Sequence, residues 1–231
     1  MSETGFIATC RLVAGKDLHL EWRTWDTSTS SLVFSLVVLV IFNFAFDLAT
    51  VRELGVGRLV PGVLWSVIAF AAVIGMTRSF QLEQRHETLS ALLLSPCDRS
   101  AIFFGKFVAN LVKILTLELI LVPLTAVLFD YDLLAVLWRM AGLLLLHTIG
   151  LTALGTLFAA IAVRVGRGEA LLATLLFPAS TPLFISAVKT TGVLLGTEST
   201  TSVADWLTLT AGFDLLYVFL ALLTFEVVVE R

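Results

Sequence analysis

Six apolar runs, separated by short charged or turn-forming stretches, set the pattern of this chain. The first, residues 27–46, holds no charged residue and is long enough to cross about 30 Å of hydrocarbon as a helix. The second, 59–77, is also uncharged and opens through Pro61-Gly62. Proline suits a first helical turn, where its missing N–H has no helical partner anyway. The third, 107–129, carries Lys113 and Glu118 and is closed by Asp130 and Asp132. The fourth, 133–163, has Arg139 near its start and His147 inside, and its length allows tilt. Arg164, Gly166, Arg167, Gly168 and Glu169 make a turn before the fifth run, 170–188, which Pro178 and Pro182 are expected to break and kink. A polar loop rich in Thr, Ser and Gly follows, and the sixth run, 206–229, holds Asp214 near one end. The pattern predicts an all-α polytopic membrane protein with six transmembrane helices forming one domain over 1–231.

Two stretches are neither spans nor plain loops. Residues 1–26 mix Leu12, Val13, Trp22 and Trp25 with Arg11, Lys16, Asp17, Glu21 and Arg23. That mixture predicts an interfacial helix whose Trp and basic side chains sit at headgroup level. The polar residues before the first run also argue against a cleavable signal peptide. The second stretch is Glu83 to Lys106, EQRHETLSALLLSPCDRSAIFFGK. Its helix, about 83–96, is too short and polar to cross a bilayer and too apolar for a solvated loop. Leu89, Leu92 and Leu93 supply an apolar face. Glu83, Arg85, His86, Glu87 and Arg99 supply a charged rim, and Pro96 stops the helix. An apolar face with a charged rim is what helix-in-groove recognition uses.

Composition strengthens the membrane reading and narrows the function. Apolar residues make up 58% and charged residues 14%, against roughly 45–50% and about 25% in soluble domains. Charge distribution decides orientation. Arg11, Lys16, Arg23, Arg78, Arg85, Arg99, Lys106, Arg164, Arg167 and Arg231 fall on one face, and Arg52, Arg58, Arg139 and Lys189 on the other. The basic excess predicts that both termini and the 83–106 stretch are cytoplasmic. No GxxxxGK[ST] loop is present, so ATP is not bound by that route. There is no nucleophile elbow and no HExxH, and Cys10 and Cys97 match no metal spacing. Nothing points to an enzyme, a metal site or nucleic acid.

Four ionisable residues inside the spans, Lys113, Glu118, His147 and Asp214, need an account, because a charge at mid-bilayer costs several kcal/mol. Glu118 and His147 share a depth by residue count. Two readings stand: they pair or line a substrate path, or Glu118 is protonated, or bonded to Ser and Thr neighbours, as a packing lock. Asp214 is expected to reach water at the outer boundary, and Lys113 to snorkel to the cytoplasmic surface. Gly142, Gly150 and Gly155 lie with several alanines along the fourth run, which suits close helix packing within the chain or between copies.

Six spans, a cytoplasmic N-terminal helix, no ATP site and an amphipathic helix after span two form the layout of an ABC exporter permease. The sequence also resembles the CcmB family, the membrane subunit of the cytochrome c maturation exporter. The resemblance rests on KDLHLEWR, VFSLVVLVIFNFAF, PGVLWSVIAF, RSFQLEQRHETLSALLLSP with DRSAIFFGK, LELILVPL, FPASTPLFISAVK and WLTLTAGFDLLYVFLALLTFEVV, in order from Lys16 to Val228. It implies a bacterial inner-membrane permease that couples a partner ATPase, CcmA-like, to haem export or to release of a haem-loaded chaperone. It further implies CcmC-, CcmD- and CcmE-like partners, with haem as the substrate handled and not as a resident cofactor. Two other readings stay open: a non-transporting scaffold that remodels a haem-handling neighbour, and an ABC permease for another lipophilic substrate.

Overall fold

The computed structural model describes residues 5–24, 26–46, 48–85, 99–164, 168–196 and 203–230. Within them the chain is helical: α1 Phe6–Thr24, α2 Asp26–Ala45, α3 Leu48–Leu54, α4 Val56–Arg85, α5 Arg99–Leu128, α6 Leu133–Arg164, α7 Gly168–Leu194 and α8 Val203–Glu230. Six of them are long and apolar enough to cross a membrane, over Ser28–Ala45, Val56–Thr77, Arg99–Leu128, Leu133–Ala162, Ala170–Leu194 and Val203–Phe225. The chain is therefore a multi-pass membrane protein.

Packing order follows from which helices are apolar all round. In α4 and α6, 67% and 72% of the spanning window is buried, against 17% in α2. Helix α6 is the hub and packs on α4, α5, α7 and α8, while α2 lies outside against α4 and α5. The outer face of α2 presents Val33, Val37, Ile41 and Phe44. The shared core includes Trp65, Ile68 and Met76 of α4, Leu121 of α5, Leu151 and Leu157 of α6, and Leu176 of α7.

The two helices in which proline was expected to mark a start or a break differ from expectation. α4 begins at Val56, so Pro61 sits in its second turn and not its first. α7 runs unbroken through Pro178 and Pro182. Neighbouring helices and hydroxyl side chains make such prolines tolerable in a spanning helix. Ser180 donates to the Leu176 carbonyl (2.6 Å), Thr181 to Phe177 (2.9 Å), and Tyr217 of α8 to Ala179 (2.5 Å), all within the proline segment.

The connection from α5 to α6 is capped on both sides. Asp130 takes a left-handed conformation (φ 54°), which Asp tolerates better than most residues. The Tyr131 N–H then reaches back to the Ala126 carbonyl at 3.1 Å, as in a Schellman ending. Asp132 accepts from the N–H groups of Leu134 (3.0 Å) and Ala135 (3.3 Å), capping α6. From α2, the Asn43 amide donates to the Leu128 carbonyl at 2.8 Å.

Candidate functional site

The residues expected to dock a partner fall at a junction of the fold. Glu83 and Arg85 end α4, so the stretch begins as a continuation of that helix, and Arg99 opens α5. His86, Glu87, Leu89, Leu92 and Leu93 lie outside the described residues.

Immediately after this stretch, α5 is clasped by α1. Thr9, Val13, Asp17 and Glu21 recur every four residues and form the buried stripe of α1. Gly105 of α5 permits the approach: a Cβ there would stand 2.7 Å from Val13 Cβ and 3.0 Å from the Cys10 carbonyl. Further along, Lys106 Nζ donates to Asp17 Oδ2 at 2.9 Å, with side-chain exposures of 0% and 7%. Lys113 Nζ stands 3.6 Å from Glu21 Oε2. The other Glu21 oxygen accepts the Ser28 N–H at 2.7 Å, in the first turn of α2. A carboxylate there satisfies an orphan donor and meets the positive helix end. Glu21 thus ties α1, α2 and α5 together.

Two expectations change here. Lys113 does not snorkel to the surface, because a carboxylate on α1 meets it first. The acidic residues of α1 turn inward, while Arg11, Lys16 and Arg23 are exposed. The outward surface of α1 also carries Ile7, Leu12, Leu20 and Trp22. Burial of Asp17 raises its pKa, but Lys106 first and then Lys16 and Lys113 outweigh that effect and hold the carboxyl below its usual value.

The three intramembrane candidates gather around one stretch of α6 without meeting one another. His147, Thr148 and Gly150 lie within four residues, and at 100° per residue they point in three directions. His147 faces α7 and α8. Its Nδ1 donates to the Leu143 carbonyl at 2.8 Å, which leaves Nε2 to accept from Ser186 (3.3 Å) or Thr210 (3.2 Å). Those hydroxyls touch each other at 2.6 Å and reach the Trp206 carbonyl at 2.9 and 3.0 Å. The Trp65 ring lies 5.3 Å from the imidazole, and its N–H donates to Thr191 at 3.0 Å. Four helices are pinned at this cluster.

Glu118 faces α6 from α5. Its Oε1 accepts the Thr148 hydroxyl at 2.6 Å, while its buried Oε2 has no hydrogen-bond partner among the described residues. Glu118 and His147 are not paired with each other. Glu118 meets Thr148, the residue after His147, so the two lie at a similar level along the bundle. A single row of residues from one to the other does not form.

Asp214 does not reach water as expected. It is 6% exposed, and its carboxylate packs into the notch at Gly150, where a Cβ would collide with Oδ1. The reason is the missing side chain on α6, which draws α8 close. Gly155 receives the Met76 thioether in the same way, so both glycines serve packing within the chain. Gly142 faces an apolar cavity of about 580 Å³ between α6, α7 and α8, with Arg139 at its edge. Among the described residues, no three His, Cys, Asp or Glu side chains gather as metal ligands would.

Comparison with known proteins assigns this architecture. The family profile described as CcmB protein matches residues 8–230. The chain is similar to Heme exporter protein B of Bradyrhizobium diazoefficiens, 27% identical over 187 residues, covering 80% of this chain and 82% of the relative. It is also similar to Heme exporter protein B of Rhodobacter capsulatus, 30% identical over 175 residues, covering 76% and 78%.

Proposed function

This chain belongs to the CcmB family, and from that membership we propose that it is the membrane permease subunit of an ABC-type complex that handles haem. The likeness to two proteins named Heme exporter protein B, over most of each chain, is the observation that carries this reading. The membrane is the bacterial inner membrane, and the basic-residue bias puts both termini in the cytoplasm. ATP is hydrolysed by a separate CcmA-like subunit. CcmC-, CcmD- and CcmE-like proteins complete the complex and take haem onward.

The docking surface is the stretch Glu83 to Arg99. The fold supports this because the stretch leads out of α4 and into α5. A pull on it reaches both α4 and α5, and the buried pairs Asp17–Lys106 and Glu21–Lys113 make α1 and the start of α2 move with α5. Co-purification with the partner ATPase tests the assignment. Charge reversal at Arg85 and Glu87 combined with polar substitution at Leu92 and Leu93 is expected to abolish association. ATPase retained by all of these variants would sink the docking role.

A second reading is favoured by the polar residues of the bundle. Glu118 and His147 are each held by local hydrogen bonds and Asp214 packs at Gly150, on different sides of α6, and among the described residues they do not form a continuous polar path. That arrangement suits mechanical coupling, in which ATP-driven motion remodels a haem-handling neighbour and no haem crosses this chain. Haem uptake by vesicles holding only this chain and its ATPase separates the two readings, since only the permease accumulates haem.

A further inference from the structure

We propose that the cavity between α6, α7 and α8 holds an acyl chain of a glycerophospholipid, with the lipid's phosphate on the Arg139 guanidinium. The cavity has a volume of about 580 Å³, and its α6 wall is Arg139, Gly142, Leu143 and Leu146. Those four stand at i, i+3, i+4 and i+7, so they form one stripe of the helix. Arg139 is the member nearest the helix start at Leu133, and Leu146 lies about 10 Å further in at 1.5 Å per residue. A charged head and an apolar tail are thus set out along one line.

Gly142 helps to make the space. Of the three glycines on α6, Gly150 receives Asp214 and Gly155 receives Met76, whereas a Cβ at Gly142 would meet nothing within 4 Å. Packed interiors keep few voids larger than a water molecule, and this one has the size of a ligand pocket. Arg139 and Gly142 are both exposed, so the cavity is open at that wall to whatever surrounds the bundle. Around a spanning helix the surroundings are lipid.

Charge selects the occupant. Arg139 lies six residues into α6, about 9 Å along its axis. Its neighbour Trp138 is 89% exposed, the placement of an interfacial aromatic. Among the described residues no carboxylate pairs with Arg139. A guanidinium at that depth needs an anion, and its long stem lets it reach back to headgroup level. Phosphate oxygens match the flat guanidinium fork. A phospholipid supplies the anion and the apolar chain in one molecule. Haem also carries carboxylates, but among the described residues no His, Met, Cys or Tyr lines the cavity to ligate its iron. The proposal does not rest on haem handling and stands or falls separately from it.

The test is equilibrium binding of radiolabelled dioleoyl-phosphatidylglycerol, and of dioleoylglycerol, which lacks the phosphate, to the purified full chain in a non-ionic detergent. The phospholipid is expected to bind saturably and about tenfold more tightly than the diacylglycerol, the worth of a hydrogen bond to a charged group. Arg139→Gln removes this preference, and Arg139→Lys keeps most of it. Gly142→Leu puts a side chain into the cavity while leaving Arg139 in place, and is expected to abolish saturable binding of both probes. If Gly142→Leu does not fold, Arg139→Gln, at an exposed position, decides the matter. Equal affinity for the two probes, a preference undiminished in Arg139→Gln, or binding unchanged in Gly142→Leu overturns the proposal. Displacement of the phospholipid by haem or by free oleate at concentrations as low as those of unlabelled phosphatidylglycerol identifies a different occupant, and also overturns it.

Discussion

Breaking the Asp17–Lys106 pair from one side or the other should have unequal effects. Removing one partner of a buried ion pair costs about 3–5 kcal/mol, because the other charge stays buried. Asp17→Asn removes the carboxylate on which the fully buried Lys106 ammonium is seated. Lys106→Met leaves Asp17 beside Lys16 at 3.1 Å and within the field of Lys113. Lys16 is 42% exposed and well screened, so it softens the loss without cancelling it. The expected order is about 3 kcal/mol for Asp17→Asn and about half that for Lys106→Met. The assay uses Cys10, which is half-buried on α1 with its thiol 3.3 Å from the Ala101 carbonyl of α5. In a Cys97→Ser background, maleimide labelling of Cys10 reports how often α1 leaves α5. A tenfold change in rate corresponds to about 1.4 kcal/mol, so Asp17→Asn should label on the order of a hundredfold faster and Lys106→Met about tenfold. Asp17→Leu with Lys106→Met should fall back to within a few-fold of the parent, because no charge is stranded. Labelling unchanged in Asp17→Asn, or a double variant as fast as the product of the single effects, refutes the argument.

Further outcomes follow from the same geometry. The depressed Asp17 carboxyl contributes stability that is present above its ordinary value of 3.8 and lost as pH falls through its lower folded value. Cys10 labelling should therefore stay flat with respect to α1 release from neutral pH down to about 4, then rise, once corrected for thiol ionisation. Gly150→Ala should lower thermal stability by about 1–3 kcal/mol through its clash with Asp214, and Asp214→Ala should largely rescue it in a melting assay. Thr148→Val removes the donor to Glu118 and should cost about 1–3 kcal/mol in the same assay. Asp132→Ala should cost about 1 kcal/mol through the lost cap of α6, measured by denaturant unfolding in micelles.

The spans were legible because hydrocarbon tolerates few residue types, and each apolar run declares itself without reference to its neighbours. The clasp between α1 and α5 was not legible in that way. Asp17 and Glu21 are one turn apart and Lys106 and Lys113 two turns apart, so each pair shares a helix face, as the sequence alone shows. Nothing in the sequence says that helices some 90 residues apart in the chain pack side by side. The fixed rise along a helix lets the sequence set Glu118 and His147 at a similar level. It left open whether they pair or are held by hydroxyl neighbours, because that turns on direction, and Thr148 and His147 are a single residue, hence 100°, apart on α6. Asp214 was misjudged because counting from a span end takes no account of the space left by a glycine on the facing helix.

The turn after α5 has a consequence for how this chain is made. Residues 129–132 close both helix ends with their own backbone and side-chain bonds. Four residues are too few for α5 to settle in the bilayer while α6 waits at the translocon. The two must leave it as one hairpin, with the Glu118–Thr148 bond able to form inside the exit site. Glu118 thus never meets lipid alone during synthesis, and an insertion that lengthened the turn would expose it at the moment of membrane entry.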